Sequence, residues 1–175
     1  MPVKEEIAED FLRNVARANS LIETYEALFE HRHGPVEHAD ILRAAVVLLH
    51  AGLEDLLRSL LEWKLPAASS EILDRLLWPG FPKRARREKQ TIGYLAGYRG
   101  STVDELITES VIQFLEDSSF NDAAQVQRAC ADIGLDVSLL RPYLADIETM
   151  IKRRHWIVHR ADKDALQGEG PVSAP

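Results

Sequence analysis

The chain holds a single cysteine, Cys130, among 175 residues. One cysteine excludes an internal disulfide framework and suits a reducing cytoplasm, which is the compartment we expect. Long apolar runs are also missing. The longest, Ala44 to Leu49, stops at His50, far short of the ~20 residues that span a bilayer, so no membrane role is expected. The opening residues, Met1 to Glu6, are charged rather than apolar and do not read as a signal peptide. No segment alternates as a strand would, and no internal repeat is visible. A glycine-rich phosphate loop, a Ser-His-Asp arrangement and a CxxC pair are all absent, which sets aside the commonest nucleotide-loop, triad and thiol-redox chemistries.

What remains is helical periodicity. A hydrophobic fraction of 46% and a charged fraction of 28% suit one soluble domain with its own core. Residues 4–31 carry Ile7, Phe11, Leu12, Val15, Ala18, Leu21, Ile22, Tyr25 and Leu28, a sustained amphipathic face ended by Gly34-Pro35. A second helix spans about His38 to Leu65 and is apolar on most sides, the mark of a central core helix. Ser69 or Ser70 opens a short helix through Leu77, which Trp78-Pro79-Gly80 ends. Residues 80–100 read as the least regular part. Thr102 and Glu105 form a capping box for a helix to about Asp117, whose apolar face is Val103, Leu106, Ile107, Val111, Phe114 and Leu115. A shorter helix over 121–132 ends at Gly134, and a long one starts near Ser138. The expected fold is all-α: an antiparallel bundle of four main helices with short inserted ones, over residues 1–166. A disordered tail is expected over 167–175.

The net charge of −7 argues against a polyanionic partner until its distribution is considered. Residues 83–89 (KRARREK) and 152–160 (KRRHWIVHR) each carry +4, leaving −15 on the remainder. Two basic patches on an acidic body bind a polyanion locally while the body limits indiscriminate binding. Lys83, Arg84, Arg86, Arg87, Lys152 and Arg160 are the candidate RNA contacts. A solvated charged surface is the competing reading of 83–89.

The last helix interrupts its own pattern. Leu140, Leu144, Ile147 and Ile151 recur at the spacing of a buried face, on which Arg154 and then Val158 come next. A guanidinium at the edge of a buried stripe costs stability unless an anion meets it, which suggests a phosphate site. Arg154 and His159 suit phosphodiester chemistry. An imidazole near its ordinary pKa transfers protons, and a guanidinium offers planar donors to phosphate oxygens, with no metal or cofactor required. Five helical residues set the two side chains roughly 140° apart, so they do not share a face. Two copies of the motif across a twofold axis would supply both groups.

Other readings compete. His155 and His159, four residues apart, could ligate a metal, with His31, His33 and His38 as further donors. The flanking cations oppose that, and no metal is expected. Arg154 and His159 could instead merely face the helix C-terminus. His50 and Glu54 read as a partly buried histidine paired with a carboxylate. Glu54, or Asp55, could also orient Arg153 or Arg154. Cys130 reads as a structural thiol.

Arg154-His155-x-x-x-His159, on the final helix of an all-α chain, resembles the R-x(4–6)-H signature of the HEPN superfamily. The stretch IKRRHWIVHRAD is similar to its stand-alone bacterial RiboL-PSP-type members. LRAAVVLLHAGLEDLLRSLL resembles the family's apolar core helix with an embedded acid, and SSFNDAAQVQRACADIGLD resembles the segment before its last helix. The resemblance implies a dimeric helical bundle and metal-independent endoribonuclease activity leaving a 2′,3′-cyclic phosphate. Carried over by position, Arg154 and His159 are the catalytic pair. His155, Arg153 and Glu54 support them. The setting it implies is toxin–antitoxin or defence, with an antitoxin or defence-system partner. Other relatives keep the fold as a non-catalytic RNA-binding or interaction module.

Overall fold

The computed structural model describes residues 3–31, 39–80 and 92–160, with the backbone alone at 29–31 and 160. Among the described residues every regular element is helical and none is a strand, as the periodicity predicts. The α-helices are α1 (Val3–His31), α2 (Ala39–Lys64), α3 (Ser70–Leu73), α4 (Val103–Glu116), α5 (Ala123–Asp132) and α6 (Leu144–Arg160). Three 3₁₀ segments, Leu65–Ala67, Ile92–Tyr98 and Val137–Tyr143, join them. The basic cluster with Lys83, Arg84, Arg86 and Arg87 lies outside the described residues. So do His33, His38, the tail over 167–175, and the side chains of His31 and Arg160.

α2 is the central helix and touches α1, α4, α5 and α6. Its Leu57 and Leu61, with Leu65 just beyond, meet Val111 and Leu115 of α4, Val126 and Cys130 of α5, Ile151 of α6 and Phe120 in one buried cluster. Burial pushes the Cys130 thiol above its ordinary pKa, which keeps it a packing group.

α1 packs outside that cluster. Ile7, Phe11, Val15, Leu21 and Tyr25 are half-buried and Ala18 is fully buried, a stripe at helical spacing. Leu12, Ile22 and Leu28 fall off the stripe and are exposed, contrary to the expectation that they share the buried face. The α1–α2 seam is close because α2 presents Gly52. A Cβ there would stand 3.0 Å from the Asn14 Cβ. Gly52→Leu should therefore force the helices apart and cost about 1–3 kcal/mol, read as a lowered urea midpoint. An unchanged midpoint would show that the seam does not need the small residue.

Local signals explain most helix ends. Thr102 Oγ1 accepts from the Glu105 N–H at 3.2 Å and the Glu105 carboxylate accepts from the Thr102 N–H at 2.7 Å, the predicted capping box. Gly134, at φ +77°, follows α5, and the Leu135 N–H reaches back to the Cys130 carbonyl at 3.0 Å. Three expectations need correction. α3 stops at Leu73 rather than Leu77. The final α-helix starts at Leu144, not Ser138, because the preceding turns are 3₁₀ and contain Pro142, which has no amide hydrogen to donate. On α4, Val103 and Phe114 are exposed, so the buried face narrows to Val111 and Leu115 with Leu106 and Ile107 half-buried.

The stretch read as irregular is also partly ordered. The hydroxyls of Tyr94 and Tyr98 both donate to the Pro79 carbonyl, Tyr94 at 2.9 Å. The Gly80 N–H donates to the Gln113 side-chain carbonyl on α4 at 2.5 Å. Gly80 sits at φ +73°, and a Cβ there would lie 3.0 Å from the Tyr94 hydroxyl, so glycine is needed twice over. These contacts join the two flanks of residues 81–91 at one point on α4.

Candidate functional site

The apolar stripe of α6 ends sooner than its spacing suggests. Ile151 is buried, Arg154 is half-buried, and Val158 is exposed, so the guanidinium sits at the stripe's margin. Beside it, α2 and α6 enclose a cavity of about 130 Å³. His50 lines it from α2, Asn121 from the turn before α5, and Lys152, Arg154, His155 and Trp156 from α6. Glu148 completes the rim. Its carboxylate accepts from the Ala123 N–H at 2.8 Å and pairs with Lys152 at 3.1 Å. Those two contacts hold Glu148 below its ordinary pKa, the Ala123 amide contributing most. Among the described residues, Arg154 forms no ion pair or hydrogen bond.

The turn that carries Asn121 is fixed from α2. Arg58 donates to the Leu115 carbonyl and, at 2.6 Å, to the Ser118 carbonyl, and its guanidinium lies 5.7 Å from the Phe120 ring centroid. A cation thus satisfies carbonyls at the C-terminus of α4, where the helix dipole favours positive charge.

Of the residues predicted from sequence, Arg154, His155 and Lys152 share this cavity. His159 does not line it; it is exposed, with its ring centroid 4.6 Å from that of His155 at an interplanar angle of 46°. Arg153 is half-buried and also outside the lining. Glu54 is directed to His50, its carboxylate 3.6 Å from Nδ1, as the pairing of these two residues predicts. Among the described residues no ion pair or hydrogen bond joins Glu54 to Arg154, and Asp55 is exposed. Sequence reading missed Asn121, Glu148 and Trp156 as part of the site. Glu148 was legible as the i−4 partner of Lys152; Asn121 depends on chain reversal and had no local signal.

His50 is the unexpected member. It is only 2% exposed, and its Nε2 has no hydrogen-bond partner among the described residues. Burial lowers its pKa below the ordinary 6.5, and Arg154 adds to that, against the opposing pull of Glu54 and the Phe120 carbonyl. The unfolded chain therefore binds more protons than the fold in the interval beneath pH 6.5. This contribution to stability is complete above that pH and is lost as pH falls toward the native value. His50→Gln should flatten the decline in urea stability between about pH 7 and pH 5. An identical decline in the variant would remove His50 from the account.

A larger cavity, about 390 Å³, lies elsewhere, over Leu61, Leu65 and Phe114 with the Arg75–Asp132 ion pair at its edge. It contains none of the α6 motif. Among the described residues no group of three or more His, Cys, Asp or Glu side chains is placed to hold a metal ion, and no helix is long and apolar enough to cross a membrane. No family model, curated protein or solved structure matches the chain.

Proposed function

We propose that this chain is a metal-independent endoribonuclease of HEPN type, working as a homodimer built on an antiparallel bundle of α1, α2, α4 and α6. The observation that carries the reading is Arg154, a half-buried guanidinium without an anionic partner among the described residues, set in a small cavity with Lys152, His155 and Asn121. A phosphodiester supplies the missing anion. In this scheme Arg154 holds the non-bridging oxygens and stabilises the charge that grows on phosphorus as the 2′-oxygen attacks. His159 transfers a proton to or from the reacting oxygens. His155, Arg153 and Lys152 bind, and the basic segment with Lys83, Arg84, Arg86 and Arg87 extends the grip on RNA.

His159 lies outside the cavity of its own chain, which supports a site completed by a second copy. Exposed Trp156 and Val158 flank the two histidines and supply the apolar surface such a contact would bury. The same separation favours a second reading, a non-catalytic RNA-binding or interaction module that uses Arg154 without His159. RNA incubated with the protein in a chelator separates the two. The first expects fragments ending in 2′,3′-cyclic phosphate, and the second expects binding without cleavage. Strict dependence on a divalent metal would overturn the mechanism.

A further inference from the structure

His50 is a buried titratable group that the proposed cleavage does not use, and it forms part of the wall of the Arg154 cavity. Its two nitrogens stand in different surroundings. Nδ1 has the Glu54 carboxylate at 3.6 Å, which draws the proton of the neutral ring to that side. Nε2 is then a bare lone pair, buried and without a partner. The Phe120 carbonyl lies near enough to favour a protonated ring but makes no hydrogen bond to Nε2. A buried nitrogen beside a guanidinium, both without a hydrogen-bond or ion-pair partner among the described residues, is costly unless a ligand meets both. The cavity, at about 130 Å³, is several times the ~30 Å³ share of one water and admits a tetrahedral oxyanion.

A bare lone pair repels an anionic oxygen. It becomes a donor only by taking a proton from solvent. We propose that the α2–α6 cavity is an oxyanion subsite in which Arg154 and His50 Nε2 hold one tetrahedral anion, His50 taking up one proton from solvent as the anion enters. The charged groups facing His50 fit this exchange. Arg154 of α6 opposes its protonation, and a bound oxyanion offsets that opposition, while Lys152 is paired with Glu148. Glu54 of α2 stabilises the imidazolium from behind. Glu148 is occupied by Lys152 and the Ala123 amide, and His155 stands at the cavity's outer wall. His50 is thus a ligand-binding residue that makes phosphate capture proton-coupled. The proposal rests on the phosphate reading of Arg154, but it does not need cleavage.

Inorganic sulfate is the probe, because it keeps its charge across the range of the titration. The His50 Cε1–H resonance, assigned by its loss in His50→Gln, is followed against pH with and without sulfate, with sodium chloride at equal ionic strength as the control. The expected result is a midpoint raised by about one pH unit in sulfate alone. The linked result is sulfate affinity that rises about tenfold as pH falls through that range. Arg154→Ala should abolish the shift. A His50 midpoint that sulfate leaves unmoved would overturn the proposal, whether or not the protein cleaves RNA. If His50→Gln does not fold, His50→Asn supplies the assignment, and the wild-type titration still decides. A protein that binds sulfate with this shift but cleaves no RNA would keep the subsite and lose the ribonuclease.

Discussion

Arg154→Ala should reduce metal-free RNA cleavage by about 10²–10³-fold, the usual loss when one donor to a developing oxyanion is removed. His159→Ala should cost about 10²–10⁴-fold, the range for a proton-transfer group. The two losses should differ in kind. Arg154 lines the cavity, and in the proposed mechanism it touches the phosphate in ground and transition states alike, so its removal should raise KM as well as lower kcat. His159 stands outside the cavity, and in the same mechanism it acts on a proton in flight, so its removal should lower kcat with KM little changed. A co-purified dimer carrying Arg154→Ala in one chain and His159→Ala in the other adds a further measurement. If each site takes its arginine and its histidine from different chains, one of the two sites in that dimer is intact and cleavage is partly restored. Full activity in His159→Ala would end the ribonuclease mechanism.

Arg58→Ala should be the most damaging surface-reaching change to stability, at about 3 kcal/mol, since it removes two hydrogen bonds from a charged donor and leaves helix-terminal carbonyls unmet. For a chain of this size that lowers Tm by about 6–12 °C. Arg58→Lys restores the charge but not the forked reach to both Leu115 and Ser118, so it should recover less than half of the loss. Because Arg58 fixes the turn that bears Phe120 and Asn121, Arg58→Ala should also weaken sulfate binding in whatever fraction remains folded. A variant with an unchanged Tm would show that water replaces the guanidinium at no cost.

The helices were legible because their signals are local. The Thr102–Glu105 box, Gly134 and the apolar span of α2 each act within a few residues. The start of α6 was misplaced because Leu140 keeps helical spacing with Leu144 while Pro142 imposes tighter turns that hydrophobic period alone does not reveal. On the site, Arg154 announced itself as a cation on an apolar stripe. The pairing of His50 with Glu54 is legible from their spacing, but the place of His50 beside Arg154 is not. It depends on how α2 crosses α6, a tertiary fact with no local trace. Asn121 is placed by the Phe120 anchor and the Arg58 bonds, which link residues about sixty positions apart.

The tyrosine contacts at Pro79 have a consequence for the length of the interval they close. Tyr94 and Tyr98 draw the chain back to Pro79, and Gly80 is anchored to Gln113 of α4, so the flanks of residues 81–91 are held together. The entropy of closing a longer interval grows only as about (3/2)RT ln n, so lengthening it should barely move Tm in thermal unfolding.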